Sequence, residues 1–113
     1  MADIKDLIDR SSRQAAEAGF HDEFIYDTTV FASKLALIHS EVSEALEEAR
    51  SKKSLTENWQ SFPEKPEGVP AELADIVIRV FDLAGWMEID LEAAIIEKLD
   101  YNATRSYKHG KAF

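Results

Sequence analysis

The chain contains no cysteine. Disulfides, thiolate zinc sites, iron–sulfur clusters and cysteine nucleophiles are therefore excluded, and a cytoplasmic location is expected. Cations are scarce: 13 lysines and arginines stand against 22 aspartates and glutamates, a formal charge of −9. That balance repels nucleic-acid backbones and anionic lipid heads, so neither a nucleic acid nor a membrane is an expected partner. Long apolar runs are missing as well. No stretch approaches the roughly 18 apolar residues of a membrane span. Asp3, Lys5, Asp6, Asp9 and Arg10 leave no apolar signal core at the start. Only three prolines occur, Pro63, Pro66 and Pro70, and they mark the one evident break in the chain.

What remains is a chain of 113 residues, 45% of them hydrophobic, against a prior of about 150 residues per domain. A single domain over residues 1–113 is expected. Ile4, Leu7, Ile8, Ala15 and Ala18 recur at three- and four-residue spacing until Gly19, which predicts a first helix. Asp27, Thr28 or Thr29 can cap a second, running to about Ser51. Residues 54–69 read as a connection with at most a short helical turn. A third helix starts near Pro70 and runs to Gly85 or Met87, and Asp90 caps a fourth that continues through Tyr107. Nothing alternates at period two, so the predicted class is all-α, a four-helix bundle-like fold.

Helical geometry then places the charges. With Glu41 at 0°, Glu44 falls at about 300° and Glu48 at about 340°, beside a stripe of Ile38, Val42, Ala45, Leu46 and Ala49. With Glu72 at 0°, Asp75 falls at about 300° and Arg79 at about 340°, beside Ile76, Val80, Leu83 and Met87. Both helices carry an acidic pair one turn apart on the flank of a core face. Packing those faces together can bring Glu41, Glu44, Glu72 and Asp75 to a common point.

Two unit charges about 5 Å apart repel by roughly 3 kcal/mol at an effective dielectric near 20. Six such pairs exceed the typical domain stability of about 5–15 kcal/mol. Four converging carboxylates therefore need protons or cations. All-oxygen ligation suits Mg²⁺, with Mn²⁺ as a substitute, and Mg²⁺ keeps positions for water and substrate phosphate. The expectation is a divalent-metal site for a phosphate ester. On the fourth helix Lys98, Asn102 and Arg105 share one face, within about 60° of one another. Arginine and lysine can hold phosphates, and asparagine can orient an oxygen.

The ordered set Glu41-x-x-Glu44, Glu72-x-x-Asp75, Lys98-x-x-x-Asn102-x-x-Arg105 and the tail His109-Gly110-Lys111 resembles the MazG-like all-α nucleoside triphosphate pyrophosphohydrolases. The resemblance covers the chain from about Phe31 onward. One departure is Ser106, where many relatives carry proline. The resemblance implies an oligomerising helical fold with Mg²⁺ on Glu41, Glu44, Glu72 and Asp75. It also implies cleavage of a nucleoside triphosphate between the α- and β-phosphates, giving monophosphate and pyrophosphate. Glu41 or Glu44 is the candidate general base, and Lys98, Asn102 and Arg105 are the candidate substrate contacts.

Other residues carry weaker signals. Arg79 and Asp82 stand at i, i+3 and are expected to pair. Lys34 reads as a solvated lysine with a phosphate contact as its alternative, and His39 as an interface or core histidine. Phe20, Phe24, Phe31, Trp59 and Phe62 are candidate stacking surfaces, none of them assigned. Val77, Ile78 and Phe81 make the third helix apolar on its far side too, which predicts a homodimer or homotetramer. A di-iron oxidase needs histidine at +3, where Glu44 and Asp75 stand. The remaining alternatives are a non-catalytic acidic interaction module and a pyrophosphatase acting on phosphoribosyl-ATP.

Overall fold

The computed structural model describes residues 2–61 and 64–113. Pro63 and Phe62 of the sequence reading lie outside them. Four α-helices follow one another: α1 (Ile4–Glu17), α2 (Thr28–Arg50), α3 (Val69–Trp86) and α4 (Leu91–Asn102). Each of the first two begins where a side chain meets its orphan amides. Asp3 caps α1 in a reciprocal box with Asp6, and Asp27 caps α2 through the amides of Thr29 and Val30. Asp90 caps α4 through the amide of Ala93. The mainly helical class expected from the periodicity is thus observed. Among the described residues, no helix is long and apolar enough to cross a membrane.

The connection between α2 and α3 departs from expectation. It holds a small antiparallel hairpin, β1 (Trp59–Ser61) and β2 (Lys65–Glu67), with Trp59 opposite Glu67 and Gln60 opposite Pro66. Strands of three residues are too short to show alternation, and a two-stranded ribbon has an open edge that tolerates the missing amide of Pro66. The hairpin also starts α3. Gly68 enters the helix at φ 120°, where a Cβ would stand 3.1 Å from the carbonyl oxygen of Glu57. Asn58 Oδ1 accepts the amide of Ala71 at 2.8 Å, serving an α3 that has no cap of its own.

Helix α3 is the centre of the packing, with α1 and α2 laid against it. Ile8, Ile25, Leu83 and Ala84 are the buried apolar residues, and Gly85 lets α1 come close enough that a Cβ there would meet Ser12 Cβ at 2.7 Å. The expected stripes are only partly covered. On α3, Leu83 is buried and Ile76, Val80 and Met87 are half-buried, whereas Val42 and Leu46 of α2 are 51% and 59% exposed. Val77 and Ile78 on the far side of α3 are exposed too.

Helix α4 is not packed as the fourth member of a bundle. Its contact with the other helices is sparse, and Ile96 and Leu99 stand exposed. It also ends at Asn102, five residues short of the expected Tyr107. Just past the helix end, the Thr104 hydroxyl donates to the carbonyl of Tyr101 at 2.7 Å. A separate 3₁₀ turn follows at Tyr107–Gly110.

Candidate metal centre

Helices α2 and α3 bring together carboxylates that are 31 and 34 positions apart in sequence. Glu41, Glu72 and Asp75 each offer an oxygen, and these oxygens lie within 4.8 Å of one another. Among the described residues this is the one group of three or more acids, histidines or cysteines with metal-ligand spacing. Glu41 is 8% exposed, the one buried charged residue described. A carboxylate so placed needs a partner. It has one in Arg79, whose Nε–H donates to Glu41 Oε1 at 2.6 Å.

Glu72 has no such partner. Its Oε2 is buried and accepts no hydrogen bond from any described residue. Burial pushes its carboxyl above the ordinary range, and the negative charges of Asp75, Glu44, Glu41 and Glu48 push in the same direction. Asp75 is raised as well, by burial first and then by Glu41, with Arg79 and Lys65 pulling back. Both groups therefore resist ionising beside their neighbours, and a bound cation would remove that resistance. The donor set is all oxygen, which fits a hard divalent ion. The acidic cluster can hold a metal ion.

Of the four expected ligands, Glu44 stands apart. It lines the neighbouring cleft with Glu41 and Asp75 but is outside the three-oxygen group. That cleft, about 400 Å³, is walled by α1, α2 and α3 and extends from these acids past Arg79 to Asp82, Lys34 and Phe20. A larger groove of about 680 Å³, between α1 and the α3–α4 junction, gathers no comparable cluster.

The expected Arg79–Asp82 pair does not form. Each residue has a partner from another element: Arg79 takes Glu41, and Asp82 Oδ1 accepts from His21 Nε2 at 2.6 Å. The His21 ring lies flat on Trp86, centroids 3.9 Å apart and planes 9° apart. Lys34 lines the cleft, its ammonium donating to the carbonyl oxygen of Phe20 at 3.4 Å and standing 5.5 Å from the Trp86 ring centre. His39, expected at a core or interface, is exposed in the single chain. Glu48, near the acids on the α2 projection, accepts the indole N–H of Trp59 at 2.7 Å. Sequence spacing signals none of these cross-element bonds, since each depends on how a helix is set against another helix, a loop or a strand.

Lys98, Asn102 and Arg105 do not line the cleft. Lys98 and Arg105 gather around Tyr101, at 5.3 Å and 5.8 Å from its ring centre, and Asn102 Oδ1 is buried with no partner among the described residues. Arg105 lies beyond the last residue of α4, so the helical projection that aligned it with Lys98 does not apply there. No family model, no curated protein and no solved structure matches the chain.

Proposed function

We propose that this protein is a divalent-metal-dependent nucleoside triphosphate pyrophosphohydrolase of the MazG-like kind, cleaving between the α- and β-phosphates. The observation that carries the reading is the three-carboxylate group Glu41, Glu72 and Asp75, with one buried oxygen of Glu72 left unpartnered. Carboxylates held this close without enough positive charge call for a hard cation, and an open cleft beside them gives a phosphate chain a way in. Mg²⁺, or Mn²⁺ in its place, would shield the phosphate oxygens and acidify a bound water.

The chain's own residues divide the remaining work. Glu41 is fixed by Arg79 and buried, which suits a ligand. Glu44 lines the cleft, is exposed and stands outside the three-oxygen group, which suits a general base taking a proton from water. Asp75 and Glu72 complete the ligand set. Arg79 keeps one positive charge at the edge of the cluster.

A homodimer or homotetramer belongs to the same proposal. The exposed apolar residues Val42, Leu46, Leu73, Val77 and Ile78 lie on the two helices that carry the acids. In such an assembly Lys98 and Arg105, which do not line their own chain's cleft, would serve the triphosphate bound in the cleft of a second copy, and Asn102 would orient it once its amide oxygen is uncovered. A cytoplasmic setting, where nucleotides and Mg²⁺ meet, completes it.

The test is release of monophosphate and pyrophosphate from a panel of ribo- and deoxyribonucleoside triphosphates, with Mg²⁺, Mn²⁺ or chelator. Metal-dependent formation of both products supports the reading. Metal-induced stabilisation without turnover of any triphosphate would keep the site and reject the substrate. Neither effect would leave the acidic interaction module as the better account.

A further inference from the structure

The end of the cleft away from the acids is built from residues that the phosphate chemistry does not use. Asp82 lies two helical turns beyond Asp75, about 10 Å along α3, room for a sugar between the two ends. Its side chain is 20% exposed and that of His21 is 14% exposed. The His21 bond at 2.6 Å and the stacking of His21 on Trp86 hold the carboxylate in one orientation. Lys34 reaches the same end, its ammonium near Trp86, and the half-exposed ring of Phe20 lies on the cleft wall.

We propose that this end is a nucleobase subsite that selects bases bearing an exocyclic amine over uracil and thymine; the proposal rests on the nucleotide reading above. An ionised carboxylate only accepts hydrogen bonds, and it cannot flip to offer a donor as an amide can. Facing the edge of a base, Asp82 favours an amine and repels a carbonyl oxygen. Adenine, cytosine and guanine each present an amine with an acceptor close by, which Lys34 can serve as donor. The single ring N–H of uracil or thymine lies between two carbonyl oxygens, so a carboxylate approaching it meets repulsion on both sides. Phe20 supplies a face on which any of these bases can stack.

The test is equilibrium binding of the full chain to α,β-imido deoxynucleoside triphosphates of all five bases in Mg²⁺, because these analogues resist cleavage at the bond in question. The tightest-bound analogue is expected to carry an amine base, with uracil and thymine weaker by about tenfold or more. Asp82→Asn, which adds a donor at the same place, should narrow or reverse that order. Should this variant lose its helical signal, Lys34→Met serves instead, weakening the amine-base analogues while leaving affinity for imidodiphosphate unchanged. Equal affinity for all five bases, or a uniform loss in either variant, overturns the subsite. Absence of any nucleotide binding overturns the nucleotide reading and the subsite with it. Selective binding without hydrolysis of natural triphosphates rejects only the hydrolase.

Discussion

Arg79 and Glu41 meet across the α2–α3 packing, Nε–H to Oε1 at 2.6 Å, so the most buried acid of the protein is neutralised by a residue one turn beyond Asp75. The arginine satisfies one of the three clustered carboxylates and leaves Glu72 and Asp75 with an excess of negative charge. That imbalance governs how the protein should respond to metal, to proton and to substitution.

Metal should stabilise the fold. Binding to the native state alone at 100 times the dissociation constant contributes about 2.7 kcal/mol. Thermal unfolding with and without Mg²⁺ or Mn²⁺ should show a raised Tm in the parent protein, and Glu72→Gln should abolish the rise. An identical rise in the variant would place the ion elsewhere.

The same variant should behave oppositely without metal. Glu72 and Asp75 have folded-state pKa values above their unfolded ones, so the folded state holds protons that the unfolded chain gives up first. Their contribution is fully present below the ordinary carboxylate range of about 4 and is lost as pH rises through the raised values. In chelator, Glu72→Gln should therefore be more stable than the parent at pH 7, and the two should converge toward pH 4. Tm measured across that interval checks the sign.

Glu44→Gln should separate proton transfer from metal binding. With Glu44 outside the three-oxygen group, the variant should retain the metal-induced rise in Tm and lose about 10²–10⁴-fold in turnover. Asp75→Asn should lose both. Equal loss of metal response in the two variants would make Glu44 a ligand.

Arg79→Met should destabilise the metal-free protein by about 1–2 kcal/mol, a figure held down by the partial exposure of the guanidinium. In a Glu41→Gln background the same change should cost less, because the buried charge it strands is gone. A double-mutant cycle by urea unfolding measures the difference.

Gly85→Ala tests the packing beneath the cleft. A Cβ at 2.7 Å from Ser12 Cβ must push α1 away from α3, which should cost about 1–3 kcal/mol. Adding Ser12→Gly should recover part of it.

The spans of α1, α2 and α3 were legible because apolar spacing and capping side chains agree along each of them. The meeting of Glu41, Glu72 and Asp75 was legible for a related reason: acids flanking a core stripe are carried inward when the stripes pack. Their partners were not. Spacing alone pointed Arg79 to Asp82 on its own helix, and only the rotation of α2 against α3 gives it Glu41 instead. His21 is 61 residues from Asp82, and nothing local to either announces the bond. The early end of α4 was hidden because no glycine or proline stands between Asn102 and Tyr107 to mark a stop.

Two consecutive residues, Asn58 and Trp59, hold opposite sides of the cleft: one grips the start of α3 at Ala71, the other the end of α2 at Glu48. The chain thereby rivets together the ends of the two helices nearest the carboxylates. The spacing of Glu41 against Glu72 is thus set by the hairpin as well as by the packing of α2 on α3, and a change at Asn58 or Trp59 would be felt at the acids without touching them.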